Sequence, residues 1–164
     1  MGETIRMWFQ GSAAGEFLWT VLVSAIPVLE IRGGIPFGMA QGLSLPAAYL
    51  ASLIGNMLPV PFIILFARKV FLFLRRHFPR LGTWVDRLER RAWEKSRKVQ
   101  DYEMWGLFIL VAIPLPGTGA WTGSLIAALM DMRLRRAVPV ILLGVAVAGL
   151  IVSLITVGAF GVFS

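Results

Sequence analysis

The chain has no cysteine and a single histidine, His77, in 164 residues. The first absence removes disulfides, thiolate nucleophiles and Cys-ligated metals. The second leaves no imidazole pair for a metal site. His77 follows an apolar run and stands among arginines, where an interfacial residue is the plain reading. Acidic residues are also few, nine against sixteen Lys and Arg. No Ser-His, His-rich or paired-carboxylate constellation is present, so the chain is expected not to be an enzyme and to take no metal or cofactor. The first sixteen residues lack the basic segment and cleavage pattern of a signal peptide, and the N-terminus is read as part of the mature chain.

Apolar residues dominate instead. At 57% hydrophobic and a mean hydropathy of +0.76, the chain carries more apolar surface than a soluble domain of this size buries in one core. The net charge of +7 is not read as nucleic-acid binding. The basic residues flank apolar runs, as the positive-inside bias and anionic headgroups require. Two runs, Leu45 to Ala67 and Ala137 to Phe163, are long enough to cross about 30 Å of hydrocarbon as helices. Two others, Phe17 to Leu29 and Met104 to Leu115, are too short.

Each short run leads into Ala-Ile-Pro, at 25–27 and again at 112–114. A break follows in each half, from Pro27 to Pro36 and from Pro114 to Gly119. Beyond the breaks come the small-residue pairs Gly34/Gly38 and Gly119/Gly123, then long spans bearing Gly55 and Gly144. Interrupted apolar segments at matching positions of two halves point to a transport site. The pattern predicts an all-α integral membrane protein of two inverted repeats, each a re-entrant helical hairpin followed by a full transmembrane helix. Residues 1–164 form a single membrane domain in this reading, with repeat one at 17–74, a cytoplasmic connection at 75–103 and repeat two at 104–163. Leu81, Val85, Leu88, Ala92, Val99 and Tyr102 approximate one stripe in the basic connection, which predicts an amphipathic helix at the cytoplasmic headgroups.

Charge sets the sidedness. If each short run leaves on the face it entered, the basic residues from Arg68 to Lys98 share a face with Arg133, Arg135 and Arg136, and the termini on the other face hold only Arg6. That face is cytoplasmic by the positive-inside rule, and both termini are extracytoplasmic. Four complete crossings would split the two basic groups. Trp19, Trp84, Trp93 and Trp105 suit interfacial anchors.

Half-helices that end near the bilayer midplane leave backbone groups which lipid cannot satisfy. Converging tips would bring Glu30, Arg32, Gly33 and Gly34 toward Gly117, Thr118, Gly119 and Thr122, with Asn56 as a neighbour. These nine are the candidate substrate-binding or coupling residues. A charge at membrane depth costs at least about 2.5–3.5 kcal/mol, so it faces a cavity or a partner. Glu30 and Arg32 neutralise each other in this reading, and a desolvated carboxylate beside a cation is also a switch. The half-helices beginning near Gly34 and Gly119 aim positive dipole ends inward, which favours anions. Asn56, Pro59 and Pro61 are read as a kink with an interhelical hydrogen bond or as a substrate contact.

At Pro27-x-x-Glu30-x-Arg32-Gly33-x-Ile35-Pro36, Gly55-Asn56-x-x-Pro59 and Pro114-x-Pro116-Gly117-Thr118-Gly119-x-x-Thr122-Gly123, the chain resembles the small multidrug export proteins. That family is similar to the DedA or VTT superfamily, whose members have paired re-entrant loops and are implicated in moving lipids, including undecaprenyl phosphate. The resemblance implies a lipid or amphiphile substrate and proton coupling. Where DedA proteins carry an arginine-bearing motif in the second hairpin, this chain has uncharged Pro116-Gly117-Thr118-Gly119, so the charged tip positions transfer only as Glu30 and Arg32.

The expected function is therefore a transporter or flippase for an anionic lipid-linked amphiphile, proton-coupled. The alternatives are an exporter of small cationic drugs that uses Glu30 as counter-charge, and a non-transporting membrane scaffold. Expected partners are membrane lipids, the amphiphilic substrate and a second copy in a homodimer, with no nucleic acid.

Overall fold

A computed structural model of the chain describes residues 12–77, 102–115 and 117–162. Residues 78–101 of the expected amphipathic connection, Trp84 and Trp93 among them, lie outside the described residues, as do Arg6, Pro116 and Phe163. The described residues form α1 (Ala13–Ser24), α2 (Glu30–Ala40), α3 (Leu45–Met57), α4 (Val60–His77), α5 (Tyr102–Ala112), α6 (Ala120–Leu129) and α7 (Leu134–Val162). They divide into two compact units. One takes the chain up to Pro59 together with residues from Val145 onward, and the other runs from Val60 to Gly144.

In the first unit Ser12 starts α1 by accepting the Gly15 amide hydrogen at 3.1 Å. At twelve and eleven residues, α1 and α2 are each about 16–18 Å long, well short of a bilayer core. They pack antiparallel. Gly34 lies against the Ser24 hydroxyl and Gly38 against Thr20. Gly42, at φ +106°, turns the chain into α3, which runs back along α2 with Ser52 against Gly34 and Ala48 against Gly38. A Cβ on Gly55 would stand 2.1 Å from the Val21 carbonyl oxygen, so glycine there sets how closely α3 approaches α1. The later part of α7 joins through the Tyr49 hydroxyl, which donates to the Ala146 carbonyl at 2.9 Å.

The break in this half is shorter than its Pro and Gly content suggests. Only residues 25–29 separate the helices, and α2 begins at Glu30 rather than near Gly34. Glu30 adopts φ +48°, which turns the chain enough for the helix to start at once. Gly33, Gly34 and Pro36 therefore lie within α2.

In the second unit α5 and α6 form a corresponding hairpin. Gly123 lies against Val111, Leu107 and Ile141, while Gly144 of α7 lies against Val111 and the Phe108 carbonyl. Arg68 of α4 donates to the Met132 carbonyl and pairs with Asp131 at 3.5 Å. This ties the basic end of α4 to the turn before Arg133, Arg135 and Arg136.

The two halves repeat the same local states. Glu30 and Gly119 have positive φ at the starts of α2 and α6, and Gly42 and Asp131 have it at their ends. The interval from Glu30 to Gly119 equals that from Gly42 to Asp131. It also equals the interval between two matching turn bonds, Leu43 N–H to Gly38 and Met132 N–H to Ala127. In this register Gly34 corresponds to Gly123, not to Gly119 as the glycine spacing suggests. The second tip is longer by two residues, which displaces everything after Ala-Ile-Pro.

Two helical stretches, Leu45–Val70 and Leu134–Ala159, have the length and apolar composition of membrane spans. The first is interrupted at Leu58 and Pro59, because Pro59 and Pro61 deprive the carbonyls of Gly55 and Met57 of their helical donors. Phe62, Phe66, Leu143 and Leu154 on these stretches are 60–76% exposed. Large apolar side chains spread over both spans require a hydrocarbon solvent. The architecture is that of a helical integral membrane protein.

Candidate functional site

The charged candidates lie in the first unit. Glu30 is 2% exposed and its Oε2 accepts from Arg32 Nη2 at 3.0 Å, Arg32 being 22% exposed. Two residues apart on one helical turn, these side chains do not normally share a face. The left-handed backbone at Glu30 redirects its side chain and makes the pair possible. Such a conformation is strained for any residue but glycine, and Gly119 holds the matching position in the other half. Gly33 permits the same turn by lying under Leu29, whose Cβ would be 2.9 Å from an added Cβ.

Asn56, at 1% exposed, stands on the face of α3 that Ser52 and Ala48 present to α2. The α2–α3 contacts step by one turn from Gly38/Ala48 to Gly34/Ser52. The next step in that antiparallel register brings the start of α2, where Glu30 stands, level with Asn56 on α3. Asn56, Ser52 and Ser24 have side-chain polar atoms without a hydrogen-bond partner among the described residues. The first unit thus buries a carboxylate, an amide and two hydroxyls along one seam.

The second unit holds Gly117, Thr118, Gly119 and Thr122. Gly117 and Gly119 have φ of +83° and +116°, as the tight tip requires. The Thr118 hydroxyl lies 2.7 Å from the Ile113 and Leu115 carbonyls and accepts the Leu115 amide hydrogen. Its work is to hold the tip. Thr122 is half-buried on α6. In the second half of the sequence the seam positions are Val111 for Ser24, Ile141 for Ser52, Val145 for Asn56 and Trp121 for Arg32. At these four positions the polar side chains belong to the first half, while the second buries Ser124 elsewhere on α6, bonded to the Ala120 carbonyl.

Sequence reasoning singled out Glu30, Arg32 and Asn56 but missed Ser24 and Ser52. The available signal was spacing: Ser52 stands one helical turn before Asn56, and Ser24 immediately precedes Ala-Ile-Pro. Among the described residues no group of three or more His, Cys, Asp or Glu could hold a metal ion.

Residues 30–151 match the family described as Putative small multi-drug export protein. The chain belongs to this family. The small multi-drug export match begins at Glu30 and takes in Arg32, Asn56 and the whole second tip. It supports a general transport role in the membrane, not catalysis. Neither a curated protein nor a solved structure matches the chain.

Proposed function

We propose that the chain is a membrane exporter of small cationic amphiphiles, with Glu30 as the counter-charge that receives the substrate. The observation that carries this reading is the buried Glu30–Arg32 pair at 3.0 Å. A carboxylate in an apolar setting needs a cation. Arg32 fills that need between cycles, and a substrate cation or a proton replaces it during transport. Arg32 is the more exposed partner and has the long stem needed to withdraw.

The anionic lipid-linked substrate expected from the sequence has less support. It required Arg32 and the N-terminus of α2 to face an anion. The first turn of α2 already holds a carboxylate, Glu30, and Arg32 is engaged with it. The family description also names export of drugs, not of lipids. Membrane lipid remains the protein's solvent and contact.

The matching backbone states of the two halves support two repeats whose short hairpins re-enter the face they left. Arg68 beside the turn preceding the α7 arginines supports one shared basic, cytoplasmic face. Inverted repeats and extracytoplasmic termini complete this topology. So small a body needs a second copy to shield a transported ion from lipid, which favours a homodimer.

The test is efflux of a cationic dye from proteoliposomes under an imposed proton gradient. Glu30→Gln and Arg32→Ala are expected to insert and fold, and Glu30→Gln to lower efflux by about tenfold or more. Efflux retained by Glu30→Gln sinks the site. Loss of folding without a specific loss of flux supports the scaffold alternative instead.

A further inference from the structure

The seam in the first unit is polar where the fold does not require it. Ser24, Ser52 and Asn56 are each at most 1% exposed, and their side-chain polar atoms, including both amide atoms of Asn56, lack partners among the described residues. The corresponding positions of the other half build the same backbone with Val111, Ile141 and Val145. A buried polar group left unsatisfied lowers stability, whereas an apolar group of similar shape there does not. The seam is therefore kept for something other than packing.

Its chemistry indicates the occupant. Asn56 presents a donor and an acceptor, and each serine hydroxyl is both. A bare cation would leave the amide N–H groups unpaired, and a bare anion would leave the amide oxygen unpaired. Water satisfies both, and a buried water makes about three such bonds. Gly55 and Met57, whose carbonyls lose helical donors to Pro59 and Pro61, add acceptors beside Asn56.

We infer that Ser24, Ser52 and Asn56 hold internal water, and that this water carries protons to Glu30. The α2–α3 register brings the start of α2, where Glu30 stands, level with Asn56 at one end of the seam. Within this unit the described part of α1 carries one charged residue, Glu16, near its far end, and neither α3 nor residues 145–162 of α7 carries any. Tyr49, the titratable group of α3, is engaged with Ala146. Among the described residues Arg32 is a cation paired with Glu30. A proton passed from water to a Glu30 carboxylate oxygen removes the negative charge that Arg32 pairs with and weakens that ion pair. That consequence rests on the export reading, whereas the water site does not.

Asn56 is the only asparagine in the chain, so asparagine labelled with ¹⁵N gives a single side-chain amide signal. In water-edited solid-state NMR of the full chain in bilayers, that signal is expected to build up as fast as solvent-exposed amides do. A build-up as slow as that of valine backbone amides in a parallel sample overturns the inference. The variant Ser24→Ala/Ser52→Ala/Asn56→Leu is expected to unfold at the same or a higher temperature. In proteoliposomes loaded with a pH-sensitive dye, its substrate-driven proton movement should fall by about tenfold or more. A lower melting temperature would assign the seam to packing, and undiminished proton movement would exclude it as the route. A wild-type chain with wet Asn56 that moves neither dye nor protons would defeat the export reading while upholding the water site.

Discussion

At position 30 backbone and side chain make opposing demands. The turn into α2 calls for the left-handed region, which costs a side-chain-bearing residue about 1–2 kcal/mol. The other half meets that demand with Gly119, whereas the first keeps a carboxylate. Replacing Glu30 by glycine or alanine removes the ion pair equally, but only alanine retains the strain. Glu30→Gly is therefore expected to be more stable than Glu30→Ala by about 1 kcal/mol, read as a higher midpoint in thermal unfolding in detergent. Equal midpoints would mean that the left-handed turn relaxes in the variants. The importance of Glu30 was legible in the sequence as a charge inside an apolar run. Its conformation was not, because nothing local to Leu29-Glu30-Ile31 favours positive φ.

Among the helices, small residues decide how near one element comes to the next. Gly55 meets a backbone oxygen, which cannot rotate away as the Ser24 hydroxyl facing Gly34 can. Gly55→Ala must push α3 off α1 and is expected to lower stability by about 1–3 kcal/mol. Gly106 of α5 has nothing within 4 Å of an added Cβ, so Gly106→Ala should leave the midpoint unchanged or raise it. A Gly55→Ala protein as stable as the wild type would show that the α1–α3 contact can open. The existence of the helices followed from run length and from Ala-Ile-Pro. Their starts and the register between halves did not. Glycine spacing alone cannot show that the second tip is longer, since prolines and glycines mark a turn without fixing how many residues it takes.

For the whole molecule, the absence of cysteine gives a clean background for labelling. Ser44 and Arg135 are exposed positions just before α3 and near the start of α7. In the proposed topology Ser44→Cys reacts with a membrane-impermeant maleimide from outside intact cells, and Arg135→Cys reacts only from the cytoplasmic face of inverted vesicles. Reaction of both from one side would remove the inverted arrangement. Composition made the membrane setting legible from the start. The polar seam of the first half was not, because Ser24 and Ser52 gain meaning only beside Gly34.

The two long spans differ where the chain passes from one compact unit to the other. The first is broken there, at Leu58 and Pro59, while α7 runs through Gly144 and Val145 without interruption. A helix that lacks two of its ladder bonds opens more readily than one whose ladder is unbroken. The break thus leaves the first span with a weak point in its hydrogen-bond ladder that the second does not have.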